Sequence, residues 1–414
     1  MLPNWRFMAR VGFRISLIGI AIGSIFYRFV YKSIILKDLG YNRVLEPLGS
    51  FGVRCERVDD PGLVGCTNMW LHQETGLLYL TCSDSMARRM SPVSISNRSL
   101  TERFGVLDTR SSAPLKDRLT WIQLQNFVGT AGNEVLDPRG FDILVDPDNK
   151  NKLHIIVLNE RSIGDVINKK LPGAIEYFTM TVGGSTMTHV RTFTSSSIEA
   201  PAHVTWIDED LFVFTNTHTL GDYSRRYKDL LLGGGSVGYC ILASGTCGIA
   251  KSGNLKSPSG MAMGHDSLLY IPSAISGQIQ IFAMEEQQRL RKVDTILVPH
   301  PVNDISIDQN GDIYAATVPV LHKSMGTSQT TEQKVPSAVF RIMKLGEMGE
   351  GEGWGWNIVK MIEDAGHMLP GITKAVHDTR NGKMFLGGLA PFVGICEKKD
   401  GGTFSAQLQM LNMF

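Results

Sequence analysis

Short stretches in which apolar and polar residues alternate recur along most of the chain, and one form of them appears six times: GLLYLT (Gly76 to Thr81), KLHIIV (Lys152 to Val157), DLFVFT (Asp210 to Thr215), SLLYIP (Ser267 to Pro272), GDIYAA (Gly311 to Ala316) and GKMFLG (Gly382 to Gly387). Their β-branched and aromatic content and their period of two predict strands. A second apolar stretch lies a short way upstream of each: TNMWL, RGFDILV, AHVTWI, SGMAM, NDISI and TKAV. Paired strands repeated in this way, separated by Gly-rich turns and without long helical heptads, predict four-stranded blades set radially, an all-β six-bladed β-propeller. A β-sandwich is the alternative, and six similar units argue against it. In a propeller the inner strand of each blade begins at the central channel. The residues that open the upstream stretches are therefore expected around one cavity: Thr67 and Asn68, Arg139, His203, Ser259, Asn303 and Asp304, and Thr373 and Lys374.

The N-terminus breaks the pattern. Arg6, Arg10 and Arg14 occur with no acid among them, and Ile15 to Tyr27 is a charge-free apolar run closed by Arg28. A signal anchor and a signal-peptide core both fit, because the flanking arginines can snorkel from a short span. No A-x-A cleavage site follows, which favours retention of the segment. The positive-inside rule then places the later residues in the lumen or outside the cell. Residues 1–36 are read as this segment and its stem, and 37–414 as the propeller. A buried core helix is the plainer alternative.

Composition narrows the class. The 414 residues are 43% hydrophobic and 20% charged, with a formal net charge of +1. Large-scale disorder is excluded, and no global field recruits nucleic acid. The 43 glycines fit many tight turns. Six cysteines suit an oxidising compartment and allow 15 pairings. Cys66 and Cys82 flank one strand-turn-strand segment and Cys240 and Cys247 flank a hairpin, and local pairing of these would leave Cys55 with Cys396. Asn97 heads the sequon Asn97-Arg98-Ser99.

Several ordered pieces resemble the serum paraoxonase/arylesterase group of six-bladed propellers, and its fungal members in particular: RCERV, DPRGFDILVDPDN, FVFTNTHTLGDYSRRYKDLLLGGGSVGYC, SPSGMAM, NDISID with GDIYAAT, and GKMFLGG with GICE. The resemblance spans roughly Cys55 to Cys396. It implies the same fold, an uncleaved hydrophobic N-terminus, a blade-closing Cys55–Cys396 disulfide, and calcium-dependent hydrolysis of lactones and esters. At the positions where the resemblance implies calcium ligands, the sequence departs from the pattern. Glu-Asp is replaced by Thr67-Asn68, Asn-Asp by Ala202-His203, Asn by Ser259, and Asp-Asn is reversed to Asn303-Asp304. Arg139 stands for the catalytic His, and Glu160, after Asn159, for its partner.

One carboxylate remains in that set and cations have entered it, so a calcium ion is expected to meet repulsion rather than a cage of six to eight oxygens. No metal and no other cofactor is expected. Arg139, Lys374, His203 and His218 are the candidate catalytic residues, with Lys374 or Arg139 polarising a carbonyl and His218 the candidate for moving a proton. Asn68, Glu160, Asn216, Ser259, Asn303 and Asp304 are the candidate substrate contacts. No G-x-S-x-G elbow or zinc spacing is present. A metal-independent cyclase of fungal secondary metabolism, of the hetero-Diels-Alder kind known among similar propellers, suits such a channel, because proximity alone lowers a barrier by about 7 to 11 kcal/mol. The partners expected are a small apolar substrate and, through the N-terminal segment, a membrane. A calcium-dependent lactonase or arylesterase and a non-enzymatic membrane scaffold are the alternatives. Plainer roles stand beside each residue: an Arg139 ion pair with Asp142 or Glu160, a solvent-facing Lys374, a core His203, a loop His218, and blade packing for Met69-Trp70, Phe141, Trp206 and Met261 to Met263. Tyr223 to Leu232 reads as a short amphipathic helix, and His322 to Pro336 and Gly346 to Trp356 as long loops.

Overall fold

The computed structural model describes residues 5–83, 103–129, 136–159, 173–218, 233–324, 334–347, 354–402 and 404, with side chains from residue 12 onward. Six separate antiparallel sheets of short strands form the blades of the propeller. Their inner strands are Asn68–His72 in blade I, Pro138–Val145 in II, Pro201–Trp206 in III, Ala262–Met263 in IV, Val302–Ile307 in V and Ile372–Asp378 in VI. The six repeated stretches of the sequence form the second strand of each blade. Blade II carries a fifth strand, Gln123–Gln125, parallel to its outer edge.

Blade VI is completed by the chain's two ends. Val53–Asp59 pairs antiparallel with Phe392–Lys398, which sets Cys55 opposite Cys396. A disulfide joins them, and the other two are Cys66–Cys82 and Cys240–Cys247, so all three pairings agree with the sequence reading. Closure of the ring packs the face of blade VI against that of blade I and leaves each blade only short edges.

Six apolar clusters fill the six joints between neighbouring blades. Each strand of the repeated stretch is buried on both faces, which explains apolar runs such as LFVFT and LLYIP where a one-sided sheet would alternate strictly. Polar bonds staple the same joints close to the axis. Asn68 Nδ2 donates to Arg139 O (2.8 Å) between blades I and II. Thr205 Oγ1 donates to Asp142 (2.6 Å) between II and III, and Thr215 Oγ1 to Ser259 O (3.1 Å) between III and IV. Ser259 Oγ donates to Val302 O (3.1 Å), Ser306 Oγ to Ala375 O (2.7 Å) and Thr373 Oγ1 to Thr67 O (3.3 Å), which completes the circle. Gly260 matters here, because a Cβ at that position would collide with the Asp304 carboxylate.

The N-terminal helix, Trp5–Ile25, continues with wider turns through Phe26–Asp38. Gly12–Asp38 is long and apolar enough to cross a membrane, and its apolar side chains lie outside the protein core, which removes the buried-helix alternative and leaves an anchor or a signal. The strap that follows is fixed to blade V. Arg43 donates to Pro319 O (2.6 Å), and the Glu46 amide to Glu363 Oε2 (2.7 Å). Lys360 bridges Glu46 and Glu363. Gly40, at φ +66°, passes so close to Pro319 O that no side chain would fit.

Candidate active site in the propeller channel

The inner strands of blades I, III, V and VI bring four of the sequence-selected residues into one buried ring. Lys374 Nζ lies 3.1 Å from Asp304 Oδ2 and donates to Ile305 O at 2.7 Å. His203 Nε2 is 3.1 Å from Asn68 Oδ1 and 3.6 Å from Asp304 Oδ2. The Asn68 amide has its orientation set by its bond to Arg139 O, so its oxygen faces the imidazole. His203 Nε2 therefore carries the proton, and Nδ1 is left as a lone pair with no partner among the described residues. Burial depresses the His203 pKa to about 4, opposed by the charge of Asp304 and reinforced by that of Lys374, so the ring is neutral at physiological pH.

A cavity of about 460 Å³ extends from this ring along the channel. That volume is typical of small-molecule sites. Polar and apolar surface share its wall about equally, with Met69, Trp70, Phe141, Trp206, Met261 and Met263 on the apolar part and His203 and Lys374 on the polar part. Two further acids line it, Asp142 and Asp308. Asp308 Oδ2 is 2.8 Å from His377 Nδ1. Asp142 Oδ2 accepts from Thr205 Oγ1 (2.6 Å) and the Trp206 amide (3.0 Å), and Oδ1 from the Ile143 amide (2.9 Å). Burial raises the Asp142 pKa despite these three bonds and the attraction of Lys374.

The channel is therefore less cationic than the sequence suggests. The Lys374 ammonium is matched by Asp304, and the wall adds carboxyl groups. Arg139 is on the inner strand of blade II, but the cavity wall is formed by Phe141 to Leu144 of that strand, and Asp142 is bonded to Thr205 and Trp206 rather than to Arg139. Ser259 staples blades IV and V. The carbonyl of Asn303 accepts from Gly260 N. Asn216 is fully engaged as a clamp, its oxygen accepting from the Glu199 and Ala200 amides and its nitrogen donating to Ser197 O and Ser236 Oγ. His218 Nδ1 is 2.8 Å from Thr217 Oγ1, off the cavity wall. Glu160, Asn97 and Tyr223 to Leu232 lie outside the described residues. Asp142 was missed as a site residue, although a lone acid inside RGFDILV was a signal that could have found it.

Residues 115–389 match the family model described as Arylesterase. The chain belongs to the arylesterase family. No curated protein matches it. Among solved structures, this arylesterase-family chain is similar to a gluconolactonase of Xanthomonas campestris, with 11% identity over 85% of this chain and 93% of that one and a TM-score of 0.46. It is also similar to an inactive virginiamycin B lyase from Staphylococcus aureus crystallised with quinupristin (10% identity, 83% and 99% coverage, TM-score 0.43). Likenesses this distant support no argument about activity.

The calcium that the family resemblance implies finds an ill-suited donor set at the ring. Asp304 is already paired with an ammonium, the Asn68 oxygen is bonded to His203, and no group of three His, Cys, Asp or Glu among the described residues is arranged to hold a metal ion. A hard cation asks for six to eight oxygens. The residues do not fit it.

Proposed function

We propose that the channel is the active site of a metal-independent enzyme acting on a small, mainly apolar carbonyl compound, and that it promotes a cyclisation of the hetero-Diels-Alder kind within secondary metabolism. The observation that carries this reading is the Lys374 ammonium, held by two oxygens on the wall of a 460 Å³ cavity beside a neutral His203 and a cluster of apolar side chains. An ammonium has three donors, and two are used, so the third is free to meet a substrate carbonyl as charge builds on it. The apolar side chains of the wall hold the two reacting ends together. Nothing is consumed: the bonds rearrange within the substrate, and the protein supplies position and one hydrogen bond.

Family membership favours a second reading, hydrolysis of an aryl ester or lactone. It would need a water activated by His203 Nδ1, and a base with so low a pKa is weak. Among the described residues no cysteine is free to act as a nucleophile. Under either reading we propose that the N-terminal helix tethers the enzyme to a membrane on its lumenal or extracellular face, near a source of apolar substrate. The test is turnover by the full chain in detergent of an enone with a tethered diene, and separately of phenyl acetate and a γ-lactone, with and without EDTA. EDTA-resistant cyclisation lost in the double variant Lys374→Met with Asp304→Asn, which leaves no lone buried charge, supports the first reading. EDTA-sensitive hydrolysis overturns it in favour of the ordinary chemistry of the family.

A further inference from the structure

Three carboxyl groups face the channel, and they differ in how their charge is met. Asp304 has the Lys374 ammonium at 3.1 Å, and Asp308 has His377 at 2.8 Å. Asp142 has three hydrogen-bond donors, all of them neutral, and no cationic side chain within ion-pair distance among the described residues. It is half-buried rather than sealed, and it lines the cavity. The apolar half of the surrounding wall includes Trp70, Phe141, Trp206, Met261 and Met263, and the polar half includes Lys374 and His203. Ring faces and polarisable sulfur attract weakly hydrated organic cations, whereas no group of three His, Cys, Asp or Glu among the described residues is arranged to hold a hard metal ion.

We propose that the cavity binds an organic cation, an ammonium carried on an apolar body, with Asp142 as its counter-ion and the rings of Trp70, Phe141 and Trp206 around it. The assignment rests on the small-molecule reading of the same cavity and names its substrate class: an amine-bearing carbonyl compound, its carbonyl toward Lys374. The neutral donors around Asp142 are then understandable, since they orient the carboxylate without cancelling its charge. Burial makes an ionised Asp142 costly in the empty channel, and a bound ammonium removes that cost.

The test uses the full chain in detergent and two probes of nearly equal shape, protonated 3-phenylpropylamine and neutral 3-phenylpropanol, with binding followed by calorimetry. The amine is expected to bind about tenfold more tightly than the alcohol. Asp142→Asn should abolish that preference, and Trp70→Leu, at a half-buried position less exposed to folding failure, should reduce it. Equal affinity for the two probes in the wild type overturns the proposal, as does a preference that survives Asp142→Asn or is undiminished in Trp70→Leu. Displacement of the amine by calcium chloride would overturn it too, by showing a metal site. Absence of any binding overturns this proposal together with the small-molecule reading. A clear amine preference with no turnover of any carbonyl substrate sinks the catalytic reading alone.

Discussion

Lys374 and Asp304, on the adjacent inner strands of blades VI and V, form an ion pair of 3.1 Å in which both side chains are almost wholly buried. Removing one partner strands the other charge in a low-dielectric channel, and such losses cost about 3–5 kcal/mol. Lys374→Met is therefore expected to lower the denaturant midpoint strongly. The double variant Lys374→Met with Asp304→Asn should recover most of that loss, because no lone charge remains. A double variant no more stable than Lys374→Met would show that the pair is not coupled in this way.

His203 adds a pH dependence. Its folded pKa, about 4, lies below the ordinary imidazole value of 6.5, so the unfolded chain binds the proton more readily. Stability contributed by the neutral imidazole is thus complete above pH 6.5 and is lost as pH falls toward 4. The loss attributable to His203 amounts to about 3 kcal/mol. His300, pushed down to about 3 by burial and by Arg43 and Lys360, acts in the same direction. Urea midpoints measured from pH 7.5 down to pH 4 should fall steadily, and less steeply in His203→Gln. A flat profile over that window would contradict the buried neutral state.

The Cys55–Cys396 disulfide spans 341 residues, against 7 for Cys240–Cys247. A longer closed loop constrains the unfolded chain more, and the chain-entropy account gives about 5 kcal/mol or more for the first and about half that for the second. Cys55→Ser with Cys396→Ser should therefore lower the thermal midpoint well beyond Cys240→Ser with Cys247→Ser. The order of the two midpoints is the readout.

Calcium should not stabilise the fold through the ring, since Asp304 is already matched by Lys374. The melting temperature is expected to stay the same with EDTA and with millimolar calcium chloride. A rise with calcium that disappears in Asp304→Asn would place the ion in the channel after all.

The strap behind the N-terminal helix depends on Gly40, whose φ of +66° and contact with Pro319 O leave no room for a Cβ. Gly40→Ala should free the strap from blade V and speed limited proteolysis between the helix and the propeller, with little effect on the blades. Unchanged cleavage would mean that Arg43 and Glu46 hold the strap alone.

Much of this architecture was legible in the residues. The six stretches from GLLYLT to GKMFLG gave the blade count because each must bury both faces of a strand, which only apolar, β-branched runs allow. The cysteine spacing limited the pairings, and the first positions of the inner stretches named His203, Asp304, Lys374 and Asn68 as neighbours around one axis. What the linear pattern could not carry was how these groups divide their bonds. That depends on distances between strands far apart in the chain: Lys374 is satisfied by Asp304 and Ile305, Asn216 and Ser259 are consumed as staples, and Asp142 turns its carboxyl toward blade III and the cavity. Sequence determined which strands form and which residues open them, because periodicity and propensity act locally. The tertiary structure alone decided which charges in the channel are cancelled and which remain, because burial and ångström-scale pairing set the electrostatic field.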